Sequence, residues 1–245
     1  MLKIYETEAA AAKAAADLFC QTALQAIEKQ GCFYVALAGG TTPQKVYELL
    51  KEPPYLTTIP WKKVHIFWGD ERCVPANSAR SNQKMTYDAW LSHVPLPPEN
   101  IHTINTKEAP EEAALRYETD LKNTFASAPP RFDLIFLGLG ADGHTASLFP
   151  GCPALKEKQA LVRAVFPQTQ PEARITFTYP LLNQAKKIVF LATGTAKAAI
   201  LAEILNTPPH EPPYPAQLVQ PTQGEILWLL DQPAAKELSL NTLKN

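Results

Sequence analysis

Short, mostly apolar runs recur along this chain, and each gives way to a stretch with helical spacing. Residues 33–38, 64–68, 134–139, 187–192 and 225–230 carry almost no polar alternation. A strand that faces water on one side alternates apolar and polar residues, so these runs must be covered on both faces. Residues 174–178 read as one more strand. Between the runs, residues 8–29 place Ala16, Phe19, Ala23, Ala26 and Ile27 on one helical face, and Gly31 is a natural stop. Residues 43–50, 81–91, 110–125 and 195–205 read as further helices, with a short one after Pro233. The first strand is expected at residue 33, behind a single Ala-rich helix. Alternating strands and helices predict an α/β fold with a mostly parallel sheet and helices on both faces. No repeat or linker interrupts the pattern, so residues 1–245 read as one domain.

The 23 prolines punctuate this pattern and do not form a disordered tail. They cluster at Pro53–Pro54, Pro95–Pro98, Pro129–Pro130 and Pro208–Pro215, the last of which reads as a surface loop. A net charge of −1 offers no bulk attraction to nucleic acid or to an acidic membrane surface. No apolar run approaches the ~20 residues that span a bilayer. The N-terminus lacks a basic region followed by an apolar core, so no signal peptide is expected. Cys20, Cys32, Cys73 and Cys152 are scattered without a CxxC pair. They read as reduced thiols of a cytoplasmic protein, not as zinc ligands or disulfides.

Chemistry concentrates where strands end. Residues 134–139 run into Gly138-Leu-Gly-Ala-Asp-Gly-His144, which sets Asp142 and His144 on one glycine turn. Imidazole suits proton transfer near neutrality, and an open α/β sheet carries its chemistry at the C-terminal strand ends. The same residues spell GxGxxG, the dinucleotide fingerprint. That reading needs a helix directly after the glycines and an acid some 20 residues on. Pro150-Gly151 closes the segment too soon, and the run at 161–166 ends in Pro167-Gln168-Thr169. A nicotinamide or flavin site is therefore not expected.

Residues 33–38 run into Gly39-Gly40-Thr41-Thr42-Pro43. Thr42 reads as an N-cap and Pro43 as the first helical residue. Exposed N–H groups there suit a phosphate or carboxylate, though a plain strand-to-helix turn uses the same residues. Gly194-Thr195-Ala196-Lys197 repeats the arrangement, and Lys197 either meets a bound anion or points into solvent. Asp70-Glu71-Arg72 is either a phosphate-binding strand end or a surface ion-pair cluster. His65 reads as packed within its strand. His93, His102 and His210 have no acidic partner nearby in sequence. Cys152 lacks the base or helix N-terminus that a nucleophilic thiol needs. Four strand ends carrying such groups are what a phosphorylated small molecule requires.

At this point the chain resembles the 6-phosphogluconolactonases of the pentose phosphate pathway. The resemblance rests on Ala38-Gly-Gly-Thr-Thr-Pro43, on Trp68-Gly-Asp-Glu-Arg72 with Ser81-Asn82, and on Gly138 to Pro150. Arg174-Ile-Thr and Gly194-Thr195-x-Lys197 complete it. Ala38 stands where that family often has a serine, which removes a hydroxyl but not the backbone cradle. The resemblance implies a three-layer α/β sandwich with a Rossmann-like sheet, shared with glucosamine-6-phosphate deaminases and ribose-5-phosphate isomerases. It implies hydrolysis of 6-phospho-D-glucono-1,5-lactone without metal or cofactor, by a monomer or homodimer. His144 would activate water and Asp142 would orient the imidazole or the sugar. Gly39, Gly40, Thr41, Thr42, Asp70, Arg72, Arg174 and Lys197 would bind the substrate and its phosphate. The N–H groups of the 138–143 turn would serve as oxyanion donors.

Two other activities share parts of this pattern. Glucosamine-6-phosphate deaminases resemble the chain in the Gly-Gly turn and the Asp-Gly-His segment. They typically continue to Asn-Glu-Pro, where this chain has Ser147-Leu-Phe-Pro150, and tend to carry Tyr at the place of Arg72. Sugar-phosphate effector domains usually follow a DNA-binding helix-turn-helix, whereas here a single Ala-rich helix stands ahead of the strand expected at residue 33; phosphosugar binding without turnover would revive that reading.

Overall fold

The computed structural model of the protein describes residues 1–126, 128–168, 170–206, 213–239 and 242. The strands are β1 (Leu2–Tyr5), β2 (Phe33–Leu37), β3 (Val64–Trp68), β4 (Asp70–Arg72), β5 (Leu134–Leu137), β6 (Val162–Val165), β7 (Arg174–Phe177), β8 (Lys187–Ala192) and β9 (Glu225–Asp231). The helices are α1 (Glu8–Gln30), α2 (Thr41–Leu50), α3 (Tyr55–Thr58), α4 (Asn82–Ala89), α5 (Pro110–Thr124), α6 (Tyr179–Leu182), α7 (Ala198–Leu205) and α8 (Gln232–Ala235).

Six strands form one sheet in the order β1-β9-β8-β5-β2-β3, and every pairing is parallel. The continuous apolar runs explain this. β2, β5 and β8 are buried along almost their whole length, which only a sheet covered on both faces allows. Passage from β2 to β3 moves one way along the sheet, and passage on to β5 moves back past β2. Right-handed crossovers then put α1 and α2 on one face and α5 on the other. Phe19 of α1 packs edge-on against Phe33 at 5.2 Å and Trp90 at 5.7 Å, which anchors this helix to the core.

Two features depart from the sequence reading. The first strand is β1, not residues 33–38, and it pairs with β9 at the sheet edge. The three polar residues Asp70–Arg72 are also a strand. β4 joins β7 and β6 in a separate antiparallel sheet, so residues 174–178 do not extend the main one. This small sheet stands over the C-terminal end of β3, from which β4 follows after Gly69 alone. Of the Pro208–Pro215 stretch, residues 208–212 lie outside the described residues, as does His210.

Among the described residues, no helix is long and apolar enough to cross a membrane, and no cluster of His, Cys, Asp and Glu could hold a metal ion. The four cysteines are free.

Candidate active site

β2 and β5 are neighbours, but the chain leaves β2 towards β3 and later returns to β5 on the other side. This reversal opens a crevice at the C-terminal strand ends, where open α/β sheets bind ligands. A cavity of about 350 Å³ lies there. Its floor is Leu37–Gly40, the end of β2 and the turn after it, and Phe136–Gly140, the end of β5 and the turn after it. Its walls include Asp70, Arg72, Asn82, His144, Ser147, Phe149, Gln170, Arg174 and Lys197.

The glycine turn after β5 carries His144. Its Nδ1 lies 2.5 Å from Asp142 Oδ1, and its backbone N–H donates to the same oxygen at 3.2 Å. A carboxylate only accepts, so Nδ1 carries the proton and Nε2 is left with its lone pair. Burial would raise the Asp142 carboxyl, but the hydrogen bond and charge of His144 outweigh it and hold the group below its ordinary value. The imidazole stays 28% exposed and packs against Phe149 at 4.5 Å. The turn is closed by Gly140 N–H to His144 O at 2.8 Å and by Gly143 N–H to Gly140 O at 3.1 Å. These two amides are therefore engaged within the turn, against the expectation that they serve as oxyanion donors.

Three cations reach the same cavity. Arg72 Nη1 donates to Arg80 O at 2.5 Å. Lys197 lies in the short turn Thr195–Lys197 ahead of α7, and its Nζ donates to Leu139 O at 2.7 Å, so it does not point into solvent. Arg174 is 8% exposed at its side chain; Nη2 meets Gln170 Oε1 at 3.3 Å while the buried Nε has no partner. Burial first, and then the charge of Arg72, lower the Arg174 pKa. Asp70 accepts from Ser147 Oγ at 2.6 Å. Its neighbour Glu71 belongs to no surface ion-pair cluster: it is fully buried.

The Gly39–Gly40 turn lines the cavity, but Thr41 and Thr42 do not. The helix after it begins at Thr41 with Gly40 as N-cap, at φ 104°, where the sequence reading had Thr42. Gly40 lines the cavity and gives this helix no side-chain cap. Thr42 Oγ1 is hydrogen-bonded to Thr193 Oγ1 at 2.8 Å, which ties α2 to the end of β8. Asn82, Ser147, Phe149 and Gln170 were not singled out as site residues. Asn82 had a signal in the Ser81-Asn82 pair, and Ser147 and Phe149 in the Gly138 to Pro150 segment; Gln170 had none and reaches the cavity only through the loop that leads into β7.

Known proteins share both the sequence and the fold of this chain. The model of the glucosamine-6-phosphate isomerases/6-phosphogluconolactonase family matches residues 6–228. A 6-phosphogluconolactonase from Synechocystis sp. is 46% identical over 218 residues, 87% of this chain and 88% of that protein. One from Nostoc sp. is 42% identical over 91% of this chain and 92% of its own length. The solved structure of 6-phosphogluconolactonase from Trypanosoma brucei superposes with a TM-score of 0.85 at 29% identity, covering 98% of each chain. The chain therefore belongs to the glucosamine-6-phosphate isomerase/6-phosphogluconolactonase family.

Proposed function

We propose that this protein hydrolyses 6-phospho-D-glucono-1,5-lactone to 6-phospho-D-gluconate, with His144 as the base that activates water. The observation that carries the reading is the short Asp142–His144 contact in a cavity that also holds Arg72, Arg174 and Lys197. Nε2 takes a proton from water while the water oxygen bonds to the lactone carbonyl carbon. The tetrahedral intermediate collapses with cleavage of the ring C–O bond. The imidazolium returns its proton to the departing ring oxygen, so the enzyme ends as it began. Asp142 holds the tautomer and steadies the imidazolium by its negative charge.

The three cations and the Gly39–Gly40 turn suit a phosphate dianion at the far end of the substrate. Asp70 is unsuited to phosphate, and its carboxylate is matched to the sugar hydroxyls. A lactone is an activated ester, so fixing its carbonyl near one base and one water supplies most of what the reaction needs.

The test follows 6-phosphogluconate formation from lactone generated in situ, above the spontaneous background. Wild type accelerates the reaction and His144→Ala removes most of the acceleration while still binding phosphate. A His144→Ala variant with wild-type turnover defeats the assignment of the base. Ammonia release from glucosamine 6-phosphate, without lactonase activity, would move the chain to the other activity of its family.

A further inference from the structure

Glu71 does not line the cavity, yet it touches the residues that do. Side chains alternate along β4, so Asp70 and Arg72 face the cavity and Glu71 faces away. Its Oε1 accepts the N–H groups of Arg72 at 2.7 Å and Asn82 at 2.8 Å. Its Oε2 accepts Ser81 Oγ at 2.9 Å and Gln83 N–H at 2.7 Å. Two of these donors are the first amides of α4, where a negative charge is favoured. Asn82 in turn donates Nδ2 to Asp70 O at 3.0 Å. One buried carboxylate thus sets β4 against the start of α4, and with it Asp70, Arg72 and Asn82.

The register of the small sheet adds an electrostatic reason. Arg72 and Arg174 are directly opposed across β4 and β7. Like charges in that position repel, and the buried Nε of Arg174 has no partner to offset its burial. Asp70 and Glu71 supply the nearby negative charge that favours the Arg174 guanidinium. Asp70 is already held by Ser147, and Glu172 is 3.7 Å from Arg174. Burial pushes the Glu71 carboxyl above its ordinary value, against the pull of the four donors.

We propose that Glu71 is the positioning residue of the phosphate subsite: from behind the cavity wall it fixes the backbone of Arg72 and Asn82, and so the place of the Arg72 guanidinium opposite Arg174, before a phosphate arrives. This rests on the lactonase reading only for the identity of the phosphate ester; the anion site itself follows from the two arginines.

The test is Glu71→Gln, which keeps the shape, removes the charge and turns an amide NH2 towards donors. Lactone turnover is measured with its pH profile, and binding of inorganic phosphate is measured by calorimetry. Expected are a KM raised about tenfold, phosphate affinity weakened by a similar factor, and kcat within about twofold of wild type. The pH profile of kcat keeps its shape, because the hydrogen bonds of Glu71 go to β4 and the start of α4 and not to the Asp142–His144 turn. A folded Glu71→Gln protein with wild-type KM and phosphate affinity overturns the proposal. So does a loss confined to kcat, or a shifted pH limb. If Glu71→Gln does not fold, Ser81→Ala removes one donor and leaves the carboxylate; it is expected to weaken phosphate about threefold, and unchanged affinity overturns the proposal. A wild type that binds phosphate without hydrolysing the lactone, with the loss still seen in Glu71→Gln, overturns the lactonase reading and supports the role of Glu71. No phosphate binding by wild type overturns the subsite.

Discussion

Gly140 decides where the His144 imidazole can lie. A Cβ at this position would overlap His144 Nδ1 and Asp142 Oδ1, so the ring rests on bare backbone. Gly140→Ala is expected to fold and to lower kcat roughly a hundredfold or more, since a misplacement of about 1 Å has that effect. A crystal structure of the variant with an unmoved imidazole, or wild-type kcat, would contradict this. Asp142 lends itself to a pH test. Its folded pKa is below the unfolded one, so its contribution to stability is present above the unfolded value and is lost as pH falls through the folded one. Asp142→Asn should therefore flatten the fall in stability below about pH 4, and should reduce kcat by releasing the Nδ1 tautomer. Denaturant midpoints across that range decide the first point and turnover the second. Asp142 and His144 were legible in the sequence because they are two residues apart on a glycine turn, so their contact is local. Glu71 was not. Its residue type reads as surface, and its burial depends on α4 arriving from eleven residues further on.

At the scale of elements, the turn carrying His144 is held from outside by the segment 214–218. Ala216 N–H donates to Gly143 O at 3.0 Å, and the Tyr214 ring lies so close over Gly143 that a Cβ there would overlap it. The segment is itself anchored: Tyr179 Oη donates to Pro215 O at 2.8 Å and Asn183 Nδ2 to Leu218 O at 3.3 Å. Tyr214→Ala is expected to lower kcat by roughly tenfold or more with little change in KM, because the ring packs on the turn. Wild-type kcat in the variant would show that the turn holds itself. α2 makes a contrasting case. Thr42 is bonded to Thr193, which donates to Glu8 Oε1 at 3.0 Å, and Glu8 is also paired with Lys45. Thr42→Val should lower unfolding free energy by about 1 kcal/mol and leave KM unchanged. A large rise in KM would return Thr42 to the phosphate site. The main parallel strands were readable because burial on both faces leaves uninterrupted apolar runs. β1 was not, since Leu2–Tyr5 is a short edge strand that mixes lysine with apolar residues. β4 was not, since its three polar residues owe their strand geometry to pairing with β7.

The whole molecule puts its candidate chemistry at one end of a parallel sheet because the strand order reverses between β2 and β5, and no single motif carries that information. The same architecture brings together groups remote in sequence elsewhere. His102, which had no visible partner, donates Nδ1–H to Asp120 on α5 at 2.9 Å, and its Nε2 lies 3.2 Å from Nδ1 of His65 on β3. His102 also stacks on Phe67 at 4.0 Å, and Tyr34 of β2 lies 5.0 Å from the His65 ring. With Asp120 accepting the His102 Nδ1 proton, His102 Nε2 is placed to accept from His65 Nδ1–H. Burial, and then the proximity of His102, lower the His65 pKa from its ordinary value. The sign of the consequence is fixed. The unfolded chain binds this proton more readily than the folded one, so the contribution to stability is full above the unfolded pKa and is lost as pH falls through the folded pKa. Unfolding midpoints in urea should therefore drop as pH is lowered from about 7.5 to about 5.5. His65→Gln keeps a donor for His102 Nε2 but cannot take up the proton, so it should flatten that drop without altering KM for the lactone. A wild-type midpoint independent of pH across this window, or an unchanged slope in His65→Gln, would show that protons are lost elsewhere in the fold.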